Sequence, residues 1–158
     1  MPLPDAALFD QVSDPLRDVA QRLVLPRLRR LRDADVGEKA PGEWVTIVDR
    51  EAEAALAAVL PRLLPGSRVV AEEAVAAQPS LRDGMGQGWV WLVDPLDGTA
   101  NLVRGHDDFA LMVALLHNGL ACGSWIFAPA SGSLAVAEHG AGAWLDGARV
   151  SQHRRSRH

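Results

Sequence analysis

Trp91-Leu92-Val93-Asp94-Pro95-Leu96-Asp97-Gly98-Thr99 is the stretch on which the reading of this chain turns. It starts inside a continuous apolar run, Trp89 to Val93, which has strand length and no alternation, the pattern of a strand buried on both faces. It then delivers two carboxylates three residues apart. A strand end opening into a loop joins a rigid scaffold to a free backbone, and reactive groups collect there. Pro95 restricts Asp94 to extended backbone. Gly98 lets the main chain approach a ligand closely, and Thr99 adds a hydroxyl and an amide able to face an anion. A lone Asp-Pro or Asp-Gly is usually only a turn, but an apolar strand running straight into Asp-Pro-Leu-Asp-Gly-Thr is far rarer by chance.

Upstream, Arg68 to Ala71 is a short β-branched run that ends in a second acidic pair, Glu72-Glu73. Before it, Thr46 to Leu64 predicts a helix with Ile47, Ala54, Ala55, Ala58 and Val59 on its inward side, Asp49 near its start, and Pro61 and Pro65-Gly66 at its end. Ser13-Asp14-Pro15 predicts the start of an earlier helix. Its apolar residues run at helical spacing from Leu16 to Leu31, and Pro26 should kink or interrupt it. The spans Asp35 to Glu43 and Ala74 to Gln87 read as loops. Downstream, Phe109 to Leu116 and Leu120 to Phe127 flank His117-Asn118-Gly119, a strong hairpin signal. Ser133 to Glu138, Ala143 to Leu145 and Arg149 to Ser151 read as further strands, with Asp146-Gly147 as the last turn. Two helices followed by an antiparallel meander make the fold class α+β. The metal-binding part spans residues 1–151, and the apolar-free tail, residues 152–158, is expected to be disordered.

Composition sets the outer bounds. The chain has 158 residues, 48% hydrophobic and 23% charged, enough for one domain with a real core. A net charge of -4 exerts no pull toward nucleic acid or anionic membrane. The arginines at the end of the first helix and in the tail therefore read as solvated faces. Cys122 is the only cysteine, so an internal disulfide is impossible and a cysteine zinc site is disfavoured. It sits in an apolar strand and reads as core. His106 reads as a rim residue. With no basic-then-apolar leader and no apolar run of about 20 residues, the expected setting is the cytoplasm, without a membrane partner.

Carboxylate and carbonyl oxygens suit hard divalent cations such as magnesium. Glu72, Asp94 and Asp97, with the Leu96 carbonyl, form a candidate set for one or two of them, and no His/Cys grouping favours zinc. Taken together, Asp94 to Thr99, Ala71-Glu72-Glu73, Val45 to Asp49, the later Asn101, Gly105 and Phe109, and Ala143 to Gly147 resemble the inositol monophosphatase family of lithium-sensitive, magnesium-dependent phosphatases. The resemblance runs from about Lys39 to Ser151. It implies the first half of that family's fold and hydrolysis of a small sugar or polyol phosphate by metal-activated water. It also implies roles for individual residues. Glu72 and Asp94, with the Leu96 carbonyl, would hold a first magnesium. Asp94 would bridge to a second ion held partly by Asp97. Asp49 and Thr99, catalytic together with Glu72, would orient or deprotonate the attacking water. The Gly98 and Thr99 amides would contact the phosphate, and Lys39 falls near a family lysine close to the site. No covalent phospho-enzyme is required.

This sequence also departs from the family. Family members are longer: a Trp-Asp motif in their second half supplies another ligand of the second metal, and that half carries most of the groups that read the sugar. Here Trp144 is followed by Leu145. The chain is therefore expected to be truncated, with an exposed sheet edge, an open apolar face and a tendency to self-associate, at its simplest as a homodimer. Fructose bisphosphate, histidinol phosphate and a 3'-phosphonucleotide stand beside inositol phosphate as substrates. The rival from another class is a non-catalytic homologue acting as a metal-binding or interaction fragment.

Overall fold

The computed structural model describes residues 4–151, so the tail expected to be disordered lies outside the described residues. The first helix, α1 (Ala6–Val19), buries Leu8, Phe9, Val12, Leu16 and Val19. It starts well before Ser13. Asp5 caps it, its side chain accepting from the Ala7 amide at 3.2 Å, and Pro15 lies inside it. The Ser13 hydroxyl does not cap forward. It donates back to the Asp10 carbonyl at 2.7 Å, a bond Ser makes within helices. The helix then widens into a π turn at Ala20–Val24 and tightens into a 3-10 turn at Leu25–Arg27, so the irregularity expected at Pro26 spreads over two turns.

The span Asp35 to Glu43, expected as loop, is instead a hairpin of β1 (Val36–Ala40) and β2 (Glu43–Thr46). Its turn is Pro41-Gly42 with Gly42 at φ 78°, the arrangement of a type II turn. The strands are short and polar, so no period-2 pattern announces them. The next helix, α2 (Ile47–Leu63), begins where expected. Thr46 and Asp49 form a reciprocal capping box. Pro61 lies inside the last turn rather than ending it. The inward face is also corrected: α2 buries Val48, Asp49, Ala52, Glu53, Leu56 and Leu60, while Ile47 is 37% exposed. Two of the buried residues are acidic, and pairing apolar with inward therefore turned the predicted face.

Strand β3 (Arg68–Ala71) leads into α3 (Glu72–Ala77) and a 3-10 turn at Pro79–Arg82, so the loop expected from Ala74 is partly helical. Then follow β4 (Trp89–Asp97), α4 (Thr99–Val103), β5 (Ala110–His117), β6 (Leu120–Ala128), β7 (Ser133–Glu138), β8 (Gly142–Leu145) and β9 (Ala148–Val150). The strands β3 to β9 form one sheet in sequence order. β3 is parallel to β4 and every other pair is antiparallel. The two-residue turns Asn118-Gly119 and Asp146-Gly147 have φ of 48° and 81°, and 49° and 81°, the signature of the hairpin turns that match strand twist.

The helices α1 and α2 cover one face of this sheet. Trp91, Val93, Leu111, Val113, Leu115 and Trp125 meet Phe9, Leu16, Leu56 and Leu60 in one core. Trp125 donates its ring N–H to the Phe9 carbonyl at 3.1 Å. The opposite face holds a groove of about 430 Å³ walled by Leu92, Met112, Ala114 and Ile126, with Glu72 and Asp94 among its lining residues. No helix among the described residues is long and apolar enough to cross a membrane.

Candidate active site

The site gathers the ends of β3 and β4, the first turns of α2 and α4, and the β1–β2 hairpin. Parallel pairing sets Ala71 beside Val93, so the next residue on each strand, Glu72 and Asp94, sits at the same sheet end. Beyond Asp94 the register with β5 shifts before Asp97. Leu96 turns inward, 2% exposed, while Asp97 stays outside. Gly98 takes φ 87° and opens α4. A Cβ there would lie 2.7 Å from the Asp108 carbonyl oxygen, so only glycine fits without a backbone shift. Asn101 holds the returning loop by donating its side-chain amide to that same carbonyl at 2.6 Å.

Asp49 is 1% exposed, and its carboxylate is fixed from two sides. Oδ2 accepts from the Thr46 amide at 2.8 Å and the Thr46 hydroxyl at 2.6 Å. Oδ1 lies 2.8 Å from Thr99 Oγ1, which is also 3.0 Å from the Leu96 carbonyl oxygen. The single hydroxyl hydrogen of Thr99 serves one of these acceptors at a time. The lone pairs of Oγ1 remain to accept from a third group.

On the other side, Glu72 and Asp94 share a hydrogen bond. Burial, that bond, the Glu72 charge and the Asp97 charge push Asp94 up to about 7, against the Leu96 amide, which donates to it. Burial also pushes Glu72 upward, but the bond with Asp94 and the Lys39 ammonium outweigh it and leave Glu72 below its ordinary value. Lys39, brought in by β1, donates to Glu72 at 2.7 Å and to Glu73 at 3.1 Å. Burial opposes its charge, and these two bonds more than restore it. Glu73 is raised, chiefly by burial, with Lys39 pulling the other way.

The structure thus brings Glu72 and Asp94 into contact and sets Asp49 against Thr99. Asp97 acts on Asp94 by charge but stands exposed beyond it. Among the described residues, no three His, Cys, Asp or Glu side chains are gathered tightly enough to hold an ion. The donor chemistry of the pair nonetheless fits a hard cation. Two neighbouring carboxylates raise the proton affinity of one of them, Asp94, and the Lys39 ammonium leans on the other, Glu72. Both are ways of neutralising crowded negative charge, which a divalent ion also does. His106 is exposed, with its amide donating to the Asn101 carbonyl at 2.8 Å. Cys122 is buried and its thiol is raised by burial, the opposite of an activated nucleophile.

Sequence reasoning missed two acidic residues: Glu73, as the second partner of Lys39, and Glu53. Glu53 is four residues after Asp49, hence on the same helical face, and that spacing was the available signal.

Comparison with known proteins converges on one group. The sequence profile of the inositol monophosphatase family matches residues 9–158. An inositol-1-monophosphatase of Rhizobium meliloti is 35% identical over 120 residues, 76% of this chain and 43% of that protein. The Nus factor SuhB of Vibrio cholerae is 34% identical over 113 residues, 72% of this chain and 40% of that protein. The crystal structure of the extragenic suppressor protein suhB from Bartonella henselae superposes with a TM-score of 0.78 at 27% identity, covering 95% of this chain and 55% of that one. The chain spans about half the length of the relatives it matches.

Proposed function

The chain belongs to the inositol monophosphatase family, and from that premise we propose that residues 1–151 are the metal-binding part of a magnesium-dependent phosphomonoesterase acting on a small sugar or polyol phosphate. The observation that carries this reading is the juxtaposition of two carboxylates at one sheet end, Glu72 and Asp94, with a separately anchored hydroxyl–carboxylate pair, Thr99 and Asp49. Glu72, Asp94 and the Leu96 carbonyl would hold magnesium, with Asp97 available to a second ion. The chemistry the metal supplies when bound is positive charge against the phosphate dianion and a lower pKa for water.

The chain's own groups handle the proton. Thr99 Oγ1 accepts from the attacking water while donating to Asp49 Oδ1, so the proton released by attack passes through the hydroxyl to a buried carboxylate. Thr46 holds Asp49 Oδ2 with two donors and prevents the carboxylate from turning away. The Gly98 and Thr99 amides, at the opening of α4, orient the phosphate, and the left-handed Gly98 lets it come close to the backbone.

Relatives carrying the inositol-1-monophosphatase name support an inositol-phosphate-like substrate, with fructose bisphosphate, histidinol phosphate and phosphonucleotides as competitors in the same class. The names of the SuhB relatives favour a second reading, in which the chain serves as an interaction fragment without catalysis. Phosphate release from inositol monophosphate by the purified chain separates the two. Release that requires magnesium and disappears in Asp94→Asn supports the enzyme. A folded chain that binds magnesium and releases nothing supports the fragment.

A further inference from the structure

Glu53 has no place in the proposed chemistry, yet it is 9% exposed and anchored at both oxygens. Oε2 accepts from the Glu73 amide at 2.7 Å and Oε1 from the Ala74 amide at 2.9 Å. These are first-turn amides of α3, whose own N-cap residue, Ala71, offers no side-chain acceptor. A side chain from another helix, twenty residues earlier, therefore satisfies the amides that a local cap would have taken. The first residue of α3 is Glu72.

We infer that Glu53 is the positioning residue of Glu72: by gripping the amides that follow, it fixes where the Glu72 carboxylate stands relative to Asp94. Glu53 lies one helical turn from Asp49, which accepts directly from the Thr99 hydroxyl at 2.8 Å. One face of α2 thus sets the spacing between the proton-accepting pair and the carboxylate pair. The grip depends on having two acceptors on one group. Glutamine keeps one carbonyl oxygen but turns an NH2 toward the second amide, and aspartate falls one methylene short. The consequence for metal rests on the reading above, and the grip on α3 does not.

The test is a Mn2+ titration of the full chain, followed by calorimetry, for wild type, Glu53→Gln and a core variant, Val12→Ala, that lowers stability away from the site. Glu53→Gln is expected to weaken Mn2+ binding by about 10-fold or more, as loss of groups supporting metal ligands does, while Val12→Ala leaves it within about twofold. Glu53→Gln binding as tightly as wild type overturns the inference and leaves the metal reading intact. A wild-type chain that takes up no Mn2+ overturns the metal reading. In that case amide hydrogen exchange decides the inference. Glu73 and Ala74 must exchange at least about 10-fold faster in Glu53→Gln with α2 unchanged, and unaltered exchange overturns it. Should Glu53→Gln fail to fold, Glu53→Asp takes its place in the same measurements.

Discussion

Asp94, raised to about 7 by burial and by the adjoining Glu72, makes the metal-free protein sensitive to pH near neutrality. The sign follows from linkage. The folded value lies above the ordinary 3.8, so between the two the folded state binds more protons than the unfolded chain. This contribution to stability is fully present below about 4 and is lost as pH rises through about 7. Thermal melts without metal should show Asp94→Asn gaining on wild type from pH 5 to pH 8, because asparagine can still donate to Glu72 and carries no proton to lose. Parallel melting curves across that range would contradict this. The same proton must leave for a cation to bind, so apparent magnesium affinity should weaken as pH falls below about 7. Gly98→Ala belongs to this scale too. Its Cβ meets the Asp108 carbonyl at 2.7 Å and its φ is 87°, so a loss of about 1–3 kcal/mol is expected in urea unfolding. At this scale the sequence named Asp49, Glu72, Asp94, Leu96, Asp97, Gly98 and Thr99 from motif and family resemblance, and the structure sets Glu72 beside Asp94 and Asp49 against Thr99 while Asp97 stands exposed. Glu53 was not named: its spacing from Asp49 placed it on the same helical face, but its partners are backbone amides of another element, which that spacing does not report.

At the scale of elements, α2 carries the most. Its start was readable because Thr46 and Asp49 form a capping box, a local device. Its inward face was not, because Asp49 and Glu53 are buried by partners on α4 and α3, far along the chain. The hairpins at Asn118-Gly119 and Asp146-Gly147 were legible from the φ their turns demand. The β1–β2 hairpin was not, since strands of four and five residues with little apolar content carry no period. The helix α3 lacks a cap of its own, so its start left no local mark. Thr46→Ala should lower stability by about 1 kcal/mol through loss of the cap and should leave Asp49 Oδ2 with only the main-chain amide of residue 46 as a donor. Chemical denaturation reads the first effect. If Thr46→Ala proves as stable as wild type, the capping box contributes nothing and α2 is held by packing alone.

Across the whole molecule, the helices α1 and α2 shield one sheet face and leave the other half-covered. Ile126 is 44% exposed on β6, and Leu145 and Val150, on the last two strands, are 46% and 48% exposed. Among the described residues, the last strand, β9, pairs only with β8. The open face and edge expected from the sequence are therefore present. What the sequence did not disclose was the parallel β3 that joins Glu72 to the sheet end, because pairing direction across a seventeen-residue crossover, residues 72–88, leaves no local pattern. Apolar surface of this kind draws copies together. Sedimentation velocity should show concentration-dependent association, reduced in Ile126→Lys. A monodisperse monomer at high concentration would count against it.

The most direct test of the central claim, that Glu72 and Asp94 form a divalent-cation site, is a calorimetric titration of the folded chain with magnesium near pH 7.5, run in parallel on Asp94→Asn. The account predicts saturable binding in wild type and its loss in the variant. A wild-type chain without binding heat, or a variant that binds equally well, would contradict it.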